Sequence, residues 1–359
     1  MKKSMRKIMA AALAGFMVLS LTACGGGDDK AAKGDSKASG EYAKLKSVEL
    51  IGADSTGKDA AGQLFGELVT KKVSTITGGK LTIDYHPNGD LGGDEDLLRQ
   101  MKNNDIQLVV SQTAPVVSFI PEVAVFDLPM AFAQYKGDAI DKVLNGKDSA
   151  FRKKLSEAYE KSGYHYLGIL QNATFRLTTA NKDLKTLEDY KSLKIRTMSN
   201  KNHMAFWTAI GAEPTPLAWP EVYFALQSGT VAAEENAADT IVGANLNEVQ
   251  KYLACTNHIL YANQICMNKK AYDSLDPAYQ KALNQAVTEA LAEMRPKLAD
   301  IDKKNKDDLK TKGMTIINYD NAFFAKILEL PGVKKLYSDI DGQVKGLGKA
   351  LMDELKKVK

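Results

Sequence analysis

Residues 47–85 read SVELIGADSTGKDAAGQLFGELVTKKVSTITGGKLTIDY, and this stretch decides the fold class. Ser47–Ile51 and Leu81–Tyr85 carry the β-branched and apolar residues of strands. Between them, Ala60–Ile76 spaces its apolar residues as a helix does. A helix over Glu95–Asn103 and a strand over Ile106–Val110 continue the series. A βαβαβ order predicts an α/β sheet with helices packed on its faces.

The alternation returns after Lys161. Strands are expected over Tyr164–Leu170, Phe175–Ala180 and Leu193–Thr197, with a short helix over Leu187–Tyr190. Helices over Lys201–Ile210 and Pro220–Ser228 follow. One helix is unusually long. Asp276 is a good N-cap, Pro277 suits the first helical position, and Leu283, Ala286, Val287, Ala290, Leu291, Met294, Leu298 and Ile301 recur at helical spacing. Gly313 can end the run. About 36 residues at 1.5 Å rise would span ~54 Å, longer than one small lobe. Pro296 interrupts the helix, so a kink is expected there.

Working outward to the N-terminus, Lys2, Lys3, Arg6 and Lys7 precede an apolar run from Ile8 to Leu21, then Thr22-Ala23-Cys24. A charged head, a short apolar segment and small residues before a cleavage point read as an export signal over residues 1–23. Leu21-Thr-Ala-Cys24 is similar to a bacterial lipobox, which makes Cys24 the acylated first residue of the mature chain. The segment is too short for a transmembrane anchor, which needs ~20 apolar residues. An exported protein meets no ATP or NAD pool, and most cofactor-dependent enzyme classes fall away. The four cations leave with the signal, so the whole chain's +4 becomes zero and argues for no nucleic-acid partner. Residues 24–43 are Gly, Ala, Ser, Lys and Asp with little to bury. They read as a flexible tether with an r.m.s. reach of ~25 Å.

The remaining body, a little over 300 residues, has the size of two lobes. Cys255 and Cys266 could form a bridge in an oxidising compartment or stay as buried thiols. His86, His165, His203 and His258 stand at no metal-ligand spacing, so neither a structural zinc nor any other metal or cofactor is expected. Gly52-Ala-Asp-Ser-Thr-Gly57-Lys58 matches a phosphate loop until Asp59 replaces the required Ser or Thr. It reads as a turn before the first helix. Asp94, Glu95 and Asp96 read as first-turn residues favouring the positive end of a helix dipole rather than as a calcium loop. The absence of GxSxG, HExxH and paired-cysteine motifs favours a binding protein over an enzyme.

Two arginines carry the remaining chemistry. Arg176 opens one expected strand and Arg196 ends another. Leu193 and Ile195 face the core, which leaves Arg196 on the other face or at the strand tip, where open α/β sheets bind ligands. Guanidinium is also the group that holds a carboxylate bidentately.

Downstream stands Pro214-Thr-Pro-Leu-Ala-Trp219-Pro-Glu-Val-Tyr223-Phe-Ala-Leu-Gln-Ser-Gly229, then Thr230-Val-Ala-Ala-Glu-Glu235-Asn236. With Arg176 before Leu-Thr-Thr-Ala-Asn181, Leu193-Lys-Ile-Arg196, Leu91-Gly-Gly93, Phe126-Asp-Leu-Pro129 and Thr256-Asn-His258, this ordered series resembles the substrate-binding subunits of TRAP (tripartite ATP-independent periplasmic) transporters, of the C4-dicarboxylate-binding type. The likeness covers residues 45–355. It implies a two-lobed periplasmic-binding-protein-like α/β fold with hinge strands and a long kinked helix spanning both lobes. One lobe would comprise residues 44–173 and about 262–301, the other 174–261 and about 302–359. It further implies a monomer that takes a small organic acid between the lobes and hands it to TRAP membrane subunits. In that family the arginine matching Arg196 clamps the substrate carboxylate, and the one matching Arg176 adds a second contact. Asn236 and Trp219 would lie at the same pocket, with Gln112 and Thr113 on the opposite lobe's wall. Ala232-Ala233, Ala237 and Met198 depart from the family pattern. The rival readings are a receptor for an ATP-driven importer and an extracytoplasmic enzyme or sensor partner.

Overall fold

The computed structural model describes residues 40–358. The expected signal (1–23), Cys24 and the tether through residue 39 lie outside the described residues. The tether gives way to the folded body slightly earlier than the composition suggests. Gly40–Lys44 form a 3-10 turn whose Tyr42 stacks on Tyr279 of the long helix, with ring centroids 6.1 Å apart.

In chain order the strands are β1 (Val48–Asp54), β2 (Leu81–His86), β3 (Leu108–Gln112), β4 (Tyr164–Leu170), β5 (Leu177–Ala180), β6 (Lys194–Thr197), β7 (Glu213–Pro216), β8 (Ala233–Asn236), β9 (Tyr252–Ala254), β10 (Asn263–Asn268) and β11 (Thr315–Ile317). They form two sheets, β2-β1-β3-β10-β4 and β11-β9-β5-β8-β6-β7. In the first, β1 runs parallel to β2 and β3, while β10 returns antiparallel between β3 and β4. In the second, β6 runs parallel to β7 and β8, and β5 lies antiparallel to β8 and β9.

The chain passes between the sheets after β4 and again before β10. These two passages pair with each other: Phe175 bridges Leu260, and the amides of Arg176 and Tyr261 donate to Ile259 O and Thr174 O at 2.9 Å each. They are the hinge strands that connect the two lobes. Helix Ala61–Ile76 buries Phe65, Val69 and Val73 in the layer shared with β1, β2 and the long helix. Each such side chain removed from water contributes roughly 1.5–3 kcal/mol. A Cβ at Gly66 would fall 1.9 Å from the Tyr85 hydroxyl, so glycine lets that ring reach Asp54 beneath the cleft.

The long helix forms as its spacing predicts, and it breaks where proline dictates. Asp276 caps Pro277–Met294 by accepting from the Ala278 amide at 2.9 Å. Arg295–Lys297 form a 3-10 turn around Pro296, and Leu298–Thr311 continues. The first segment packs on helix Ala61–Ile76 and β4, the second on helix Ala238–Gly243 beside the second sheet. This helix therefore spans both lobes.

Residues 302–359, expected with the second sheet, divide. Helix Leu347–Lys357 buries Leu347, Leu351 and Leu355 and packs on helices Gly137–Asn145 and Ala150–Lys161, which adjoin β4. Its apolar stripe finds the first lobe's surface, which periodicity alone could not specify. Several short strands also carry no periodic signal. The clearest is β7, Glu-Pro-Thr-Pro, whose prolines are tolerated because it is an edge strand. Cys255, just after β9, and Cys266, in β10 of the other sheet, are free, buried thiols. Among the described residues no helix is long and apolar enough to cross a membrane, and no His, Cys, Asp and Glu group is placed to hold a metal.

Candidate functional site

Strand tips from both sheets meet in a cleft. Arg196 sits in β6 opposite Glu234 of β8 and Thr215 of β7, and is 2% exposed. Its Nε and Nη2 donate to the Leu217 carbonyl at 3.0 and 2.8 Å. No described residue accepts from its Nη1. The Trp219 ring lies over the guanidinium, 5.4 Å from Cζ to ring centroid. Burial pulls the Arg196 pKa down to about 10, against the carboxylates of Glu234 and Glu235, which hold it up. It stays charged at neutral pH.

The cleft holds two adjoining cavities, which share Asp94, Arg196, Met198 and Trp219. The smaller adds Ser55, Thr56, Gln112, Asn236 and Thr240. Ser55 and Thr56 follow β1, Gln112 ends β3, and Asn236 ends β8, so each sits at the carboxyl end of a strand. The Ser55 hydroxyl donates to Asp94 Oδ1 at 2.6 Å. Burial lifts Asp94 to about 6, opposed by that hydrogen bond and by Arg196. Thr56 donates from both its amide and its hydroxyl to Asp54 Oδ1, at 2.8 and 2.7 Å, and Tyr85 donates to Oδ2 at 2.8 Å.

Of the six residues singled out from the sequence, Arg196, Trp219, Gln112 and Asn236 line the cleft. Arg176 and Thr113 are not among its lining residues. Arg176 stands behind it, held by the Glu235 carboxylate, the Glu235 carbonyl and Gln112 Oε1. Its donors are directed at these protein acceptors. The contact to Gln112 has a consequence. With Oε1 accepting from Arg176, Gln112 Nε2 points at Asn236 Oδ1 at 3.4 Å. Thr113 starts a single helical turn, Thr113–Val116, and its amide donates to Ala262 O.

Beneath the cleft lies a buried polar layer that sequence reasoning missed. His203 faces Asp127 Oδ1 at 3.2 Å and Glu235 Oε1 at 3.4 Å, and His258 faces Glu235 Oε2 at 3.0 Å. Burial would lower His203, but Asp127 and Glu235 outweigh it and lift the imidazole to about 9. Burial likewise opposes ionisation of Glu235, yet Arg176 and the two histidines hold it well below the usual carboxylate range. Glu234 points to the other face. It is fully buried, neither oxygen has a hydrogen-bond partner, and burial lifts it to about 7 against the pull of Arg196.

The lobes touch around the cleft. Asp239 Oδ2 accepts from the Ala61 amide at 2.9 Å, and Asn200 Nδ2 donates to Ala114 O at 3.0 Å. A Cβ on Gly57 would lie 3.1 Å from the Gly243 backbone. The glycine that mimics a phosphate loop is thus a point of lobe contact.

Two α/β lobes, strands crossing between them and a buried arginine in the cleft define a solute-binding receptor of the periplasmic type. The chain belongs to the bacterial extracellular solute-binding proteins, family 7, whose model matches residues 52–332. It is a TRAP-type solute-binding protein of the DctP family. A solute-binding protein of Verminephrobacter eiseniae is 32% identical over 259 residues, 72% of this chain and 76% of its own length. The C4-dicarboxylate-binding periplasmic protein DctP of Rhodobacter capsulatus is 30% identical over 247 residues, 68% of this chain and 71% of its own. A TRAP periplasmic solute-binding protein from Bordetella bronchispeptica, with density assigned to pantoate, superposes with a TM-score of 0.77 at 29% identity, covering 86% of this chain and 99% of that one.

Proposed function

We propose that this chain is a lipid-anchored extracytoplasmic receptor that captures a small organic acid in the cleft and delivers it to the membrane subunits of a TRAP transporter. The observation that carries the ligand class is Arg196: a buried, charged guanidinium at the cavity, with Nη1 uncommitted and Nη2 and Nε held by a backbone carbonyl. A carboxylate there completes the guanidinium, and Trp219 covers the pair. Closure of the lobes expels water and strengthens the charge-assisted bond. Ligand touches both lobes only when they are closed, so it shifts an open–closed equilibrium rather than creating a new state.

In this reading residues 44–173 with about 262–301 form one lobe. Residues 174–261 with about 302–343 form the other, and the C-terminal helix returns to the first. Cys24 would hold a monomeric receptor near its permease, at high effective concentration on a flexible leash. A thermal-shift screen over organic acids tests the ligand class. A true ligand at a hundred times its Kd stabilises by about 2.7 kcal/mol, a shift of several degrees. Shifts with sugars or amines and never with acids would overturn the reading.

A further inference from the structure

The cleft has two unlike walls. Arg196 faces it as a charged donor. On the other lobe's side, the Ser55 and Thr56 hydroxyls have each given their hydrogen to a carboxylate, Asp94 and Asp54. A hydroxyl that donates to an ionised acceptor can offer only lone pairs elsewhere. Asp94 adds a carboxylate whose Oδ2 receives no hydrogen bond from any described residue. Three acceptors therefore line one side of the cavity, and one of them is charged.

Cations are scarce. Arg99 lines the outer cavity, but its Nη2 and Nη1 serve Glu95 and Asp96 at 2.9 and 3.2 Å. Arg176 is held by Glu235 and Gln112. Arg196 is left as the one uncommitted cation lining the cleft among the described residues. A ligand whose first carboxylate takes Arg196 would push a second one against Asp94 and two lone-pair-bearing hydroxyls.

Resting on the reading of Arg196 as the carboxylate clamp, we propose that Asp94, with Ser55 and Thr56, makes this receptor selective for monocarboxylic acids bearing hydroxyl groups and rejects dicarboxylic acids of equal length. Ligand hydroxyls donate to Asp94 Oδ2 and to the Ser55 and Thr56 oxygens, while the carboxylate binds Arg196. An ammonium group would also satisfy Asp94. Hydroxyls fit better because the acceptors are spread along the wall, and a single point charge would leave most of them unmatched. Rejection of a dianion is the repulsive half of this selectivity.

Calorimetry on the whole chain tests it with matched pairs: glycerate against malonate, D-erythronate against succinate and D-gluconate against adipate. The hydroxy acid of the best-binding pair is expected to bind at least about tenfold tighter than its dicarboxylate, as one repelled charge costs more than one hydrogen bond gains. Asp94→Asn, with an unchanged Tm, should narrow that ratio by at least about tenfold by admitting the dicarboxylate. Ser55→Ala should weaken the hydroxy acid without helping the dicarboxylate. A dicarboxylate binding as tightly as its partner in the wild type, an unchanged ratio in Asp94→Asn, or tighter binding of 4-aminobutyrate would each overturn the selectivity. Binding of no acid at all would refute the carboxylate reading as well.

Discussion

Replacing Arg196 should remove ligand binding, and the structure sets both the size of the loss and the control it needs. Arg196 is 2% exposed, so in the closed cleft a ligand carboxylate has little water to replace its partner. Leaving a buried charge unpaired costs ~3–5 kcal/mol, which corresponds to roughly 100- to 5,000-fold in Kd. Arg196→Met alone is a poor test. It would strip Glu234, fully buried and without a hydrogen-bond partner, of the cation that offsets it. The double variant Arg196→Met/Glu234→Gln removes both charges and leaves the layer neutral. Arg196→Lys keeps the charge but loses the fork that engages the Leu217 carbonyl and the ligand together, so a loss of ~10- to 100-fold is expected. Affinity would be measured calorimetrically at pH 7 with the tightest acid from the screen, and Tm would be recorded for each variant. A double variant with the wild-type Tm and a Kd within threefold of wild type would refute the clamp.

Four further outcomes follow from the same geometry. Gly57→Val should weaken ligand binding by about tenfold or more while leaving Tm nearly unchanged, because its side chain meets the Gly243 backbone only when the lobes touch; unaltered affinity would contradict this. His203, lifted to about 9, contributes stability that is full below the unfolded imidazole pKa of ~6.5 and is lost as pH rises through 9. Tm should therefore fall between pH 7.5 and 9.5, above the range where Glu234 and Asp94 titrate, and His203→Gln should flatten the fall; a Tm that rises over that interval would be contrary to the assignment. Glu234, near half-protonated at pH 7, should take up protons when an anionic ligand arrives, visible as a binding enthalpy that depends on the buffer's ionisation heat. Glu234→Gln should abolish that dependence, and its persistence would exclude Glu234 as the source. Cys24→Ser should release the protein from the membrane fraction and end its labelling by palmitate; retention of both would remove the anchor.

The sequence made the architecture legible where its signals were strong and local. β1, helix Ala61–Ile76 and β2 fall within about three residues of their predicted bounds, because an amphipathic helix between two apolar strands has one stable arrangement. Asp276 and Pro296 fixed the start and the break of the long helix. The strands β7, β8 and β9 were hidden, since three or four residues carry no period and β7 contains two prolines. The site was legible in part. Arg196 stood out by type and strand position, whereas the hold of Glu235 on Arg176 joins two strands far apart in the chain and leaves no local pattern. The sequence marks Asp94 as a helix-terminus residue, and it does open helix Asp94–Asn103. Its place in the cleft depends on the opposite lobe, which no local pattern reports. Ser55 and Thr56 were within reach: the strand-tip rule applied to Arg196 holds equally for the end of β1.

The most direct test of the central claim is a crystal structure of the protein with its tightest organic acid. The account expects a carboxylate oxygen accepting from Arg196 Nη1 at ~2.7–2.9 Å, beneath the Trp219 ring and between closed lobes. An acid bound outside the cleft, or inside it with Arg196 still engaging only the Leu217 carbonyl, would contradict it.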